Sequence, residues 1–216
     1  DSATNNFCTI NHDAYIGVGK SNIIDNGGRV AGDSTSVGGG AYGSLPIPPA
    51  GKWYFESWLP WNAAVTGSSN LFGVILKKNY EAGSAQGYRV RSGAQVYLQN
   101  AVGNVSASGA TSWAAGDVIG CALDFDNTSS SAATFDSIDN NDDYLAVFQF
   151  DNAAGNTVAG ANFGQGIIGL ETNFTSDDGY GSFVYDPPTG FDSICEENIR
   201  KHRSITFNPK ERFAAK

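Results

Sequence analysis

Residues 116–127 read GDVIGCALDFDN. Gly116-Asp117 is a turn pair, because Gly takes positive φ freely and Asp can bond its own backbone. Val118, Ile119, Cys121, Leu123 and Phe125 follow as a mostly apolar run, interleaved with the small Gly120 and Ala122. One face of the segment is therefore small and the other bulky. Asp124, Asp126 and Asn127 return the chain to polar loop chemistry. The pattern predicts a strand over 118–125 in a β-sandwich whose two faces differ in crowding.

The rest of the chain repeats this pattern. Short apolar runs are punctuated by clusters of Gly, Asn, Asp, Ser and Pro, and no sustained helical stripe occurs, which reads as all-β. Strands are expected at 14–18, 30–31, 52–59, 70–76, 87–91, 95–99, 118–125, 132–135, 144–150, 157–163 and 181–185. The run Lys52-Trp53-Tyr54-Phe55-Glu56-Ser57-Trp58 places aromatic residues on both faces, which suits a strand covered on both sides or one with an exposed aromatic face. Trp53 and Phe55 are expected in the core. Pro187-Pro188 stiffens the approach to Phe191, which is also expected there.

Composition narrows the class. The 216 residues include 27 Gly, with 12% aromatic and only 16% charged residues. That profile fits an extracellular or virion β protein, and the length suits one substantial core or two small ones. The net charge of −9 argues against nucleic acid as a partner of the domain body. The charge is uneven, since the segment from Arg200 onward holds six basic residues and one acid. Either it is a solvated linker or it is an arm that docks on an acidic neighbour through Arg200, Lys201 and Arg203. No run of 18 apolar residues occurs, so no membrane insertion is expected. The absence of Met, at position 1 as elsewhere, leads us to expect a piece of a longer protein. Cys8, Cys121 and Cys195 match no zinc spacing; Cys121 reads as a small core residue, and Cys8 and Cys195 could bridge if the ends of the domain meet.

Four blocks together resemble the SPRY domain, a concanavalin A-like antiparallel β-sandwich of jelly-roll type. GKWYFE at 51–56 looks like its GKWYFEV strand, and LFGV at 71–74 is similar to its second signature strand. Residues 116–127 resemble its GDVIGCALDLDNG block, and ANFGQ at 161–165 with YDPPTGF at 185–191 resembles its closing segment. A narrower likeness is to SPRY-like modules of bacteriophage structural proteins, carried by NNFCTIN at 5–11, PPTGFDSICEENI at 187–199 and NPKERF at 208–213. The chain departs from the family after Asn127, where 128–143 is longer and acidic and lacks the usual Gly. The resemblance implies a sandwich over 1–199 and an irregular basic extension or linker over 200–216.

The same likeness implies a virion location on a phage tail or capsid surface, other virion proteins as partners, and a homo-oligomer. The expected function is non-enzymatic: a tail-fibre or similar module that binds a host-surface ligand such as a glycan. One alternative is a structural or decoration module making only virion protein–protein contacts. Another is a glycan depolymerase, although His12 and His202 stand alone and no nucleophile elbow or zinc motif occurs. A sugar site pairs an aromatic platform with amides and charges, which points to Trp61, Asn62, Asn79, Tyr80, Tyr88 and Arg89. No cofactor is expected apart from Ca2+, for which Asp124, Asp126, Asp139 and Asp142 offer hard oxygen ligands. The competing reading of those aspartates is a solvated acidic loop.

Overall fold

A computed structural model describes residues 5–16, 22–23, 30–33, 39–58, 71–77, 87–91, 95–100, 103–108, 116–126, 143–150, 157–167 and 170–204. The strands are β1 (Ile10–Ile16), β2 (Asn22–Ile23), β3 (Val30–Asp33), β4 (Gly39–Gly43), β5 (Lys52–Trp58), β6 (Leu71–Leu76) and β7 (Gly87–Arg91). They continue with β8 (Gln95–Asn100), β9 (Gly103–Ser108), β10 (Val118–Asp124), β11 (Tyr144–Phe150), β12 (Thr157–Asn162) and β13 (Asp192–Ser193). A helix, α1 (Glu196–Ser204), follows. Among the described residues, one sheet has seven strands in the order β1-β4-β11-β6-β7-β8-β9. The other has six, in the order β10-β5-β12-β3-β2 with β13 joined to β5. Every named pairing is antiparallel except β13 with β5. The all-β antiparallel sandwich expected from the sequence is the observed architecture.

The core lies between the sheets. Ile10, Val74, Tyr144 and Ala146 from the first meet Trp53, Phe55 and Ala161 from the second, with Cys8, Ile47, Phe163, Ile194 and Ile199 closing the cluster. Ile119, Cys121, Leu123 and Phe125 pack against it from β10 and its exit. The small face of that strand points outward: Gly120 and Ala122 are exposed. Gly120 lies opposite Glu56, and a Cβ there would meet the Tyr54 hydroxyl at 2.5 Å. The small residues therefore make room for a tyrosine on the neighbouring strand.

Of the two arrangements open to β5, the structure has the strand covered on both sides: residues 53–57 are all buried. Its outer face holds Glu56, which is 0% exposed. Glu56 accepts hydrogen bonds from the Val184 and Tyr185 amides at 3.0 and 2.9 Å, from Asn162 Nδ2 at 2.8 Å and from the Tyr54 hydroxyl at 3.3 Å. Both ends of the Asn162 amide are engaged here. Its Nδ2 also donates to the Ser182 carbonyl, while its Oδ1 accepts from the Gly164 and Gly166 amides. The segment that follows β12 is thus folded back over β5 by one carboxylate and one amide.

That arrangement corrects one expected strand. Residues 181–185 form no ladder and meet the neighbouring chain through a single bridge, Phe174 with Phe183. The Val184 and Tyr185 amides donate to Glu56, so they cannot donate to a partner strand. Phe191 is a second correction, because it is only half-buried, beneath Lys52 Nζ, whereas Pro187 and Ile194 are buried. β4 (GGAYG) and β9 (GNVSAS) were not expected, since neither has an apolar alternation to read. The strand expected at 132–135 lies outside the described residues.

α1 spans the division expected at 199–200, so residues 200–204 are helical; residues 205–216 lie outside the described set. Glu196 and Glu197 in its first turn and Lys201, His202 and Arg203 in its last complement the helix dipole.

The ends of the domain meet. The Cys8 amide donates to the Ile194 carbonyl at 2.9 Å, and Phe7 pairs with Cys195. Cys8 and Cys195 are nonetheless free thiols, both buried. Burial pushes the Cys8 thiol up to about 11 and that of Cys121 up to about 12. Since the thiolate is the nucleophile, we expect the native chain at pH ~8 to react with a disulfide reagent more than about 100-fold slower than an exposed thiol. Denaturant should release all three cysteines. Fast labelling of the native chain would contradict this burial.

Candidate functional site

Three pieces of chain converge beside the start of β5. The first is the exit of β10. The Asp126 carboxylate accepts the Gly51 amide at 2.7 Å, and the Phe125 amide donates to the Gly51 carbonyl at 3.0 Å. Asp124 sits opposite Lys52 in the ladder and pairs with its ammonium at 3.1 Å. The Lys52 Nζ also lies 5.7 Å from the centre of the Phe191 ring, within cation–π range.

The second piece is the turn at 176–180. Asp178 Oδ1 accepts from the Ser176 hydroxyl at 2.7 Å and the Tyr180 amide at 3.0 Å. Its Oδ2 is buried and has no hydrogen-bond partner. Asp177 accepts the Gly190 amide, which ties this turn to the Pro187–Gly190 bend.

The third piece is α1 resting on β13. Asp192 is buried, and its Oδ2 accepts from His202 Nε2 at 2.8 Å and Lys201 Nζ at 3.1 Å. The His202 ring lies 4.8 Å from that of Trp53. It also fills the space above Gly51, where an added Cβ would fall 2.4 Å from the ring.

Between these pieces lies an open cleft of about 340 Å³, lined by Gly51, Lys52, Asp126, Asp177, Asp178, Gly190, Asp192, Lys201 and His202. Its wall carries both signs of charge, set in a lining that exposes more carbon than polar atoms. Those charged groups suit a hydroxyl-rich or charged ligand. They are also held on strands and turns fixed to the core, which is the condition for a preorganised site.

Trp61, Asn62, Asn79 and Tyr80 lie outside the described residues, as do Asp139 and Asp142. Tyr88 and Arg89 fall on β7, paired between β6 and β8. Asp124 and Asp126 are adjacent, but each already serves the fold. Asp124 holds Lys52 and accepts the Asp126 amide at 3.1 Å, while Asp126 holds Gly51. Among the described residues, no group of three His, Cys, Asp or Glu side chains could hold a metal ion. The residues expected to dock on a neighbour have partners within the chain: Arg200 pairs with Glu197, Lys201 with Asp192 and Arg203 with Asp143.

Sequence reasoning missed Asp177, Asp178, Asp192 and His202 as lining residues. The usable signal was turn chemistry in Ser176-Asp177-Asp178-Gly179 and in Pro187-Pro188-Thr189-Gly190. Two such turns near one strand mark loops that a rigid scaffold can present.

No family model and no curated protein matches the chain. Among solved structures, the chain is similar to the SPRY domain of human HERC1, at 14% identity and a TM-score of 0.45, over 70% of this chain and 96% of that one.

Proposed function

We propose that this chain is a non-enzymatic recognition module of a bacteriophage virion, part of a tail fibre or similar appendage, whose charged cleft takes a host-surface glycan. The observation that carries the binding reading is the cleft itself: carboxylates, Lys52 and Lys201 converge there on a rigid sandwich. The SPRY-like blocks and the phage-type opening and closing segments supply the virion part of the proposal. His202 is hydrogen-bonded to Asp192, and its ring lies 4.8 Å from that of Trp53 at a tilt.

Calorimetric titration of the full chain with oligosaccharides released from the host envelope tests this reading. Asp177→Asn and Lys52→Ala are expected to weaken binding about tenfold or more, the usual size for losing a hydrogen bond to a charged group. On intact particles, Trp61→Ala should lower adsorption to host cells without affecting assembly. Binding that is indifferent to both cleft variants would remove the cleft from the mechanism.

A second reading, contact between virion proteins, is favoured by a different observation. The large apolar side chains that are exposed among the described residues are Leu170, Phe174, Tyr180 and Tyr185, all within one short segment.

A further inference from the structure

The segment carrying those side chains has an unusual charge environment. No Lys, Arg or His occurs between Arg91 and Arg200, an interval holding fifteen Asp and Glu residues. Within it, Leu170, Phe174, Tyr180 and Tyr185 are 39%, 42%, 37% and 49% exposed. Glu171 and Asp186, also exposed, flank them, and neither forms an ion pair among the described residues. Exposed apolar side chains flanked by carboxylates suit a partner that is both cationic and apolar.

The chain itself contains such a partner. Residues 205–216, ITFNPKERFAAK, hold Lys210, Arg212 and Lys216 against one acid, Glu211, together with Phe207 and Phe213. The structure already shows C-terminal bases pairing with acids of the basic-free interval: Lys201 meets Asp192 and Arg203 meets Asp143. Lys210, Arg212 and Lys216 belong to the segment that follows α1.

We propose that the acidic, aromatic surface of residues 170–186 docks the basic 205–216 segment of a second copy of this chain. The contact is heterologous, because the surface and the segment are different parts of the molecule. Copies can therefore exchange segments reciprocally in a two-fold dimer, or pass them on in one direction to build a closed ring or a longer array. The surface variants below avoid every residue lining the cleft, so this docking can fail while glycan binding stands, and the reverse.

Sedimentation of the full chain at rising concentration tests the proposal. Association is expected at about 50 mM salt and should weaken at least tenfold by about 500 mM, as screening of exposed charges requires. Glu171→Lys with Asp186→Lys should abolish it, as should Lys210→Glu with Arg212→Glu and Lys216→Glu. All of these positions are charged, and the two on the surface are exposed, so circular dichroism should report an unchanged fold. Combining both sets in one chain restores complementarity and should restore association. Phe174→Ser should weaken it without altering its salt dependence. A monomer at every concentration, association that survives either charge reversal, or no recovery in the combined chain would overturn the proposal.

Discussion

Glu56→Ala is expected to lower the unfolding free energy by about 3–5 kcal/mol, a large fraction of what a domain of this kind possesses. The carboxylate is fully buried, yet no cation faces it among the described residues. Its partners are two backbone amides, an asparagine amide and a tyrosine hydroxyl. Removing it strands those donors in a dry environment, and each stranded group costs more than a typical hydrogen bond contributes. Glu56→Gln keeps the volume but turns an amino group toward amide donors, so it should cost about 2–3 kcal/mol, while Tyr54→Phe should cost about 1 kcal/mol. Burial, and after it the Glu56 carboxylate, pushes the Tyr54 phenol above its ordinary value. The sign follows from that direction. The contribution of the neutral phenol is complete below the ordinary phenol pKa of about 10 and is lost as pH rises through the higher folded-state value. Wild type should therefore lose stability in alkali, and Tyr54→Phe should lose less of it, with no difference in slope near neutrality. Urea unfolding monitored by Trp fluorescence measures all three variants. A Glu56→Ala midpoint within about 1 kcal/mol of wild type would mean that water or rearrangement satisfies those donors.

Glu56 also shows what could be read from the sequence and what could not. The aromatic alternation of 52–58 announces a strand with apolar residues on both faces, and the structure covers both. Nothing in the local sequence says that the outer cover would be the chain after β12, because that contact joins residues 106 to 129 apart in sequence. The same limit explains why 181–185 reads as a strand: its alternation is real, but its amides are claimed by a carboxylate far away in sequence. β4 and β9 were illegible for the opposite reason. Their Gly, Ala, Asn and Ser residues carry no apolar period, and they are strands because partners on the sheet supply the pairing. At the cleft, the turn residues were legible as turns. Their convergence on one side of β5 was not, since it depends on β13 joining β5 in parallel and so carrying α1 into place. The apolar face of 118–124 was the most readable element, because its burial is decided by neighbours one pleat away.

Gly51→Ala tests whether α1 and the start of β5 form one unit, which the cleft requires. Gly51 has φ of +84°, where an L side chain costs about 1–2 kcal/mol. A Cβ there would also fall 2.4 to 2.9 Å from three atoms of the His202 ring. The ring has little freedom to yield, since it is held by Asp192 on one side and lies against Trp53 on another. Relief would come only by lifting the last turn of α1, which would break the Lys201 and His202 contacts to Asp192 and leave a buried carboxylate short of donors. The total expected loss is about 3 kcal/mol, with faster amide exchange concentrated in the last turn of α1. A double-mutant cycle separates the two causes. In a His202→Ala background the ring is gone, so Gly51→Ala should cost only its backbone share, giving a coupling of about 1–2 kcal/mol between the positions. Additive effects, or exchange that speeds up evenly across the sandwich, would show that the helix does not rest on Gly51 and that the cleft lacks its third wall as a fixed feature.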